Sequence, residues 1–184
     1  MLVIGHRGAA GHRPENTLAS VRHALAIGVD AVEIDVRRLD DALIVLHDDT
    51  LERTTNGRGH FRDHALPALR ALDAGDGETI PLLDEVLVLT RERVGLNIEV
   101  KDPGIAEQVI DVALAATERC PAWRARILLS SFDVATSAAL AAARGPTVRG
   151  WLACHRPPEV LNFTDAPSKS SEKKVRVVVD GVVG

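Results

Sequence analysis

Along the first 155 positions, short runs rich in Val, Ile and Leu alternate with segments whose apolar residues recur every three to four places. That alternation is the sequence pattern of βα units around a parallel sheet. Runs at 2–6, 31–36, 43–46, 95–100, 127–131 and 148–153 predict buried strands. Leu18, Val21, Leu25 and Gly28 share one helical face after Asn16, which is of the type that caps a helix. Pro81 opens a second helix at Leu82, Ile105, Val109, Val112 and Ala116 mark a third, and Asp133 caps a fourth running to about Ala143.

One connection breaks the alternation. Residues 37–42 are too few for a crossover helix, and Asp40-Asp41 has turn chemistry, so a hairpin is expected. Reflection about that turn sets Asp35 opposite Leu46 and gathers Glu33, Asp35 and His47 at one end of the sheet. The stretch 48–80 is turn-rich and reads as an insertion over the sheet edge, the kind of loop that carries function. After about His155 the usage changes: only four of the 22 basic residues are lysines, and Lys169, Lys173 and Lys174 fall together in the polar run 167–174. The domain reading is therefore one βα domain over 1–155 with the insertion at 48–80, then an atypical tail over 156–184 in which 175–179 has the composition of one more strand.

Composition narrows the class. With 184 residues, 46% hydrophobic and 26% charged, the chain has material for one globular core. No apolar run approaches the roughly 18 to 20 residues of a bilayer span, and the N-terminal run is too short for a signal peptide, so a cytoplasmic location is expected. Cys120 and Cys154 make neither a disulfide framework nor a zinc spacing. A net charge of -4, three Phe, two Trp and no Tyr leave no footprint for nucleic acid, and the expected partner is a small molecule.

Glu33-Ile34-Asp35 sets two carboxylates on one side of a strand, and Asn97-Ile98-Glu99-Val100-Lys101 adds a third acid and a cation at the end of a later one. An isolated acid at a strand end is commonly a solvated charge. Three together supply the hard oxygen ligands that favour magnesium, calcium or manganese over zinc. His6 and His47 each close a strand, and with an ordinary pKa of about 6.5 they can act as acid and base. Arg7 and Lys101 add fixed cations that can either neutralise a phosphate or serve as structural ion-pair partners. His12, His23, His60, His64 and His155 are read as structural. There is no Gly-x-x-x-x-Gly-Lys-Ser/Thr loop, and Ser130 and Ser131 lack a Gly-x-Ser-x-Gly elbow.

In order and spacing, several motifs resemble the glycerophosphodiester phosphodiesterase family. They are His6-Arg7-Gly8, Pro14-Glu15-Asn16-Thr17, Glu33-Ile34-Asp35-Val36, and His47-Asp48 followed by Leu51-Glu52-Arg53-Thr54-Thr55 and Gly57. Ile80-Pro81-Leu82-Leu83-Asp84-Glu85-Val86, Asn97-Ile98-Glu99-Val100-Lys101 and Ser130-Ser131-Phe132 continue the match, which covers roughly 2–152. The resemblance implies a TIM-type (β/α)8 barrel with an insertion after the His47 strand. It also implies Glu33, Asp35 and Glu99 as ligands of a divalent cation (Mg or Ca), His6 and His47 as the acid/base pair, Arg7 and Lys101 on the phosphate, and Glu15 as a supporting polar residue. The implied activity is metal-dependent hydrolysis of a glycerophosphodiester to an alcohol and glycerol 3-phosphate. The family's last strands have only a faint echo in Asp180-Gly181-Val182, and such a barrel typically takes about 250 residues. An incomplete barrel is therefore expected, with an open edge that invites homo-oligomers. Two rival readings are a phospholipase-type enzyme acting on lipid headgroups and an inactive, truncated metal-binding remnant. Arg58, His60, Arg62 and Asp63 in the insertion argue against an apolar membrane-facing loop.

Overall fold

A computed structural model describes residues 2–121, 126–142, 150–152 and 175–178. The strands are β1 (Leu2–Gly5), β2 (Ala31–Leu39), β3 (Ala42–Val45), β4 (Gly95–Val100), β5 (Ile127–Ser131), β6 (Gly150–Leu152) and β7 (Val175–Val178). The helices are α1 (Leu18–Ile27), α2 (Leu66–Arg70), α3 (Leu83–Thr90), α4 (Ala106–Arg119) and α5 (Val134–Ala142), with a 3-10 turn at Phe61–Asp63. They form one sheet in the order β6-β5-β4-β2-β1-β7, parallel throughout, with β3 added antiparallel to the far end of β2. This is the expected α/β class, a TIM-type barrel sheet that is incomplete among the described residues. β7 takes its place beside β1, with Leu2 opposite Val175.

Alternation within the strands sorts the sheet's two faces. Val32, Ile34 and Val36 of β2, Leu96, Ile98 and Val100 of β4, and Leu129 of β5 all enter the core beneath α1, α3 and α4, where Val21, Val86 and Val109 meet them. Glu33, Asp35, Asn97 and Glu99 therefore point to the opposite, inner face. The register pairs Glu33 with Asn97 and Asp35 with Glu99, so the acids of β2 and β4 stand side by side.

The β2–β3 hairpin follows the expected register: Val36 pairs with Val45, and the Leu46 N–H donates to the Asp35 carbonyl at 3.1 Å. Its unbroken apolar run has a structural cause. Leu43 and Val45 join the main core, while Ile44 and Leu46 face a second core made with Leu51, Phe61, Leu69 and Ile80 of the insertion. Ile44 pairs with Arg37, so residues 48–80 pack as a layer on the hairpin face that shares a side with Asp35 and Arg37, opposite the helix-covered face.

Three local expectations are corrected. Thr17, not Asn16, caps α1 by accepting the Ser20 N–H, because Asn16 has turned inward at φ 57°. Leu82 is the residue before α3 rather than its first, with its N–H donating to Glu85 at 2.8 Å. β1 ends at Gly5, so His6 begins the turn beyond it. Gly28 and Asp133 stand at the α1 C-terminus and the α5 N-terminus as read, the latter accepting the Thr136 N–H at 2.7 Å. The expectations placed on 148–149, 153–174 and 179–184, with Cys154 and His155 among them, lie outside the described residues. Among the described residues, no helix is long and apolar enough to cross a membrane.

Phe61 is fully buried at the centre of the second core, with the Arg62 guanidinium 4.4 Å from its ring centroid. Phe61→Ala should cost about 3–5 kcal/mol. Urea unfolding followed by circular dichroism measures it, and an unchanged midpoint would show that the insertion is not part of the cooperative unit.

Candidate active site

The first loop determines much of the site. Arg7 and Gly8 both take positive φ (50° and 84°), which turns the chain back over the end of β2. The turn sits hard against α1: a Cβ on Gly8 would lie 2.2 Å from Ser20 Oγ and 2.7 Å from the Ser20 carbonyl carbon, so only glycine fits. Ser20 locks it, accepting the Ala9 N–H and donating to the Arg7 carbonyl, both at 2.7 Å. As a result the Arg7 N–H points at Glu33 Oε2, 2.9 Å away, and His6 Nε2 lies 3.8 Å from the same oxygen.

Glu33, Asp35 and Glu99 each offer an oxygen within 4.8 Å of the others. Lys101 reaches Glu99 at 2.8 Å and Asp35 at 3.6 Å, and Arg7 Nε lies 3.2 Å from Asp35. Burial first, and the charge of Asp35 next, push the Glu33 carboxyl well above the usual carboxylate range. Its Oε1 is buried without a hydrogen-bond partner among the described residues. A lone pair left unmet in so negative a place costs free energy, unless a cation takes it. Three clustered carboxylates with one orphaned oxygen fit a hard divalent ion, and these residues would hold it.

Asn16 has a capping side chain, but the structure gives it a different role that no pattern along the chain signals. Buried in its inward turn, it donates from Nδ2 to Asp35 Oδ2 at 2.9 Å and accepts the Asp35 N–H at 3.3 Å. It thereby fixes the orientation of one of the three clustered carboxylates, as the outer partners of metal-binding groups do. Arg37 was also missed. It is buried on the same side of β2 and holds the His47 carbonyl with two N–H groups, at 2.9 and 2.7 Å, while pairing with Asp102 at 2.8 Å. That pair joins the hairpin's exit to the end of β4, next to Lys101. A positively charged residue two places beyond Asp35 was the only sequence signal.

Seven of the expected site residues, His6, Arg7, Glu15, Glu33, Asp35, Glu99 and Lys101, form one connected cluster. Glu15 accepts from Arg7 at 2.8 Å. His47 joins them by a longer route: its Nδ1 pairs with Asp48, Asp48 pairs with Arg53, and Arg53 grips Glu15 at 2.7 and 2.8 Å. The Arg53 hydrogen bond holds the Asp48 carboxyl well below its usual 3.8. Burial would raise Glu15, but Arg53 and Arg7 outweigh it and keep Glu15 below 4.5. An open cleft of about 490 Å³ runs beside this pair, lined by Glu15, Arg53, Thr55, Asn56 and Asp73 among others.

Acids at the end of a parallel barrel sheet, bordered by fixed cations and two histidines, define a barrel-type protein whose clustered carboxylates could hold a metal ion. Comparison with known proteins makes the class specific: a sequence profile of the glycerophosphoryl diester phosphodiesterase family matches residues 6–178, and the chain belongs to that family. A glycerophosphodiester phosphodiesterase of Caldanaerobacter subterraneus subsp. tengcongensis is 39% identical over 146 residues, covering 72% of this chain and 58% of the relative. One of Bacillus subtilis is 36% identical over 130 residues, covering 60% of this chain and 44% of the relative. Among solved structures, an Oleispira antarctica phosphodiesterase in complex with the product sn-glycerol-3-phosphate superposes with TM-score 0.70 at 35% identity, covering 82% of this chain and 64% of that one. The Agrobacterium tumefaciens glycerophosphodiester phosphodiesterase gives TM-score 0.66 at 34% identity, over 77% and 62%. The chain thus spans about half to two thirds of the length of these relatives.

Two outcomes follow. Asn16→Ala should weaken divalent-cation binding about 10- to 100-fold by calorimetry, and affinity equal to the parent would remove Asn16 from the site. Asp48 and Glu15 have folded-state values below their usual 3.8 and 4.5, so their pairs add stability that is present above about pH 4.5 and lost as pH falls through the folded values. The urea midpoint should therefore drop more from pH 7 to pH 3 in the parent than in Arg53→Met, and equal drops would show that these pairs carry no stability.

Proposed function

We propose that this chain hydrolyses glycerophosphodiesters to an alcohol and glycerol 3-phosphate, using a magnesium or calcium ion held by Glu33, Asp35 and Glu99. The observation that carries the reading is the orphaned, buried Glu33 Oε1 inside a three-carboxylate cluster bordered by His6, Arg7 and Lys101, in a chain of this family. When bound, the ion supplies Lewis-acid polarisation of the phosphoryl oxygens.

The remaining work falls to the chain's own groups. Lys101 and Arg7, which border the three acids, would offer their charge to the non-bridging phosphate oxygens, where negative charge grows in the transition state. Arg7 is held for this by Glu15, which fixes one end of its guanidinium. His6 and His47 divide the proton transfers: one imidazole takes the proton of the attacking hydroxyl and the other gives one to the leaving alkoxide. Water and the substrate's own neighbouring hydroxyl use the same groups. The polar, charged exterior of the insertion at Arg58, Arg62 and Asp63 favours a small dissolved diester over a lipid surface. Among the described residues β6 and β7 end the sheet, and these edges are proposed to pair with a second copy, which size-exclusion chromatography with light scattering tests.

Cation-dependent release of glycerol 3-phosphate from glycerophosphocholine is the decisive assay, and its absence in a folded, metal-loaded chain would reject the reading. His6→Ala and His47→Ala should each lower kcat by roughly 100- to 10,000-fold with much smaller changes in KM. An effect confined to KM would move that histidine from proton transfer to binding.

A further inference from the structure

We propose that Arg53 is a positioning residue whose single guanidinium fixes the ring of His47 through Asp48 and the side chain of Arg7 through Glu15. The proposal rests on the phosphodiesterase reading for its catalytic consequence, but its structural content stands apart from it.

The chain of contacts runs across two loops that share no hydrogen-bonded ladder. Arg53 Nε–H donates to Asp48 Oδ2, and the other oxygen of Asp48 meets His47 Nδ1. The terminal nitrogens of Arg53 donate to both oxygens of Glu15, at 2.7 and 2.8 Å, and Glu15 Oε1 also accepts from Arg7 Nη1 at 2.8 Å. Arg7 then lies against Asp35. All three nitrogens of one planar guanidinium thus donate, to two carboxylates that each hold a proposed catalytic or phosphate-binding side chain.

An ionised carboxylate only accepts hydrogen bonds, so Asp48 fixes the proton of His47 on Nδ1. That leaves Nε2 as the nitrogen able to take a proton from a substrate or water, the arrangement that carboxylate–histidine pairs impose on general bases. The bonds from Arg53 hold Asp48 in that pose and keep it ionised. A lone exposed ion pair contributes little stability and does not explain such an arrangement. Here three N–H groups of one side chain meet fixed acceptors, a fork that lysine cannot reproduce. The Arg53 side chain is about half exposed and lines the open cleft, so a small guanidinium ion in solution can reach its place.

The test reads the histidine directly. In the folded chain, long-range ¹H–¹⁵N correlation spectra at pH 8 should show His47 with its proton on Nδ1. In Arg53→Ala the signals should move toward the Nε2–H form or an average of the two, and millimolar guanidinium should restore the parent spectrum. Arg53→Lys should restore it in part, and serves as the variant if Arg53→Ala fails to fold. With glycerophosphocholine, Arg53→Ala should lower kcat about 10- to 100-fold with a smaller change in KM, and guanidinium should recover part of the loss. An unchanged His47 spectrum in the folded variant, or a changed one that guanidinium leaves as it is, overturns the proposal. Because the spectra need neither metal nor substrate, an inactive parent would reject the phosphodiesterase reading while the tautomer result still decides the role of Arg53.

Discussion

Two carboxylates at the same register on neighbouring parallel strands, Asp35 and Glu99, with Glu33 one pleat away, set the condition that the rest of the molecule meets. Like charges placed so closely and largely buried repel, and burial adds a desolvation cost to each. Every polar element around them offsets that cost. Arg7 and Lys101 supply positive charge, the Arg7 N–H takes one oxygen of Glu33, and Asn16 takes one of Asp35. Among the described residues, Glu33 Oε1 is left buried without a hydrogen-bond partner, which fits a place for a further positive charge.

Holding those partners in place explains features that would otherwise be local strain. The consecutive positive φ values at Arg7 and Gly8, and the inward turn of Asn16, are each costly for ordinary residues. They persist because Ser20, Thr17 and the start of α1 over-determine the loop. On the opposite side, Arg37 and Asp102 form a buried pair between the hairpin exit and the end of β4. Breaking such a pair by removing one partner typically costs about 3–5 kcal/mol. The second hydrophobic core beneath the hairpin then anchors the insertion that carries Asp48 and Arg53, so apolar packing around Phe61 holds the charged chain that reaches His47.

Much of this was determined by the sequence alone, because periodicity is a local property. Alternation put Glu33 and Asp35 on one face, the short link at 37–42 required a hairpin with Asp35 opposite Leu46, and the motif order pointed to the family, which the match over 6–178 bears out. The choice of Asn16 over Thr17 as the helix cap failed for a physical reason: both have capping side chains, and only the position of Asp35, nineteen residues away, decides which one turns inward. The bridges made by Arg37 and Arg53 were equally invisible. Each joins acids that meet only when separate strands and loops are brought together, and no pattern along the chain records which of 22 basic residues will find which partner. Residue type and spacing thus decided which chemical groups were present and on which face, whereas the orientation of each candidate site group came from tertiary contacts, since hydrogen-bond geometry depends on distances in space rather than in sequence.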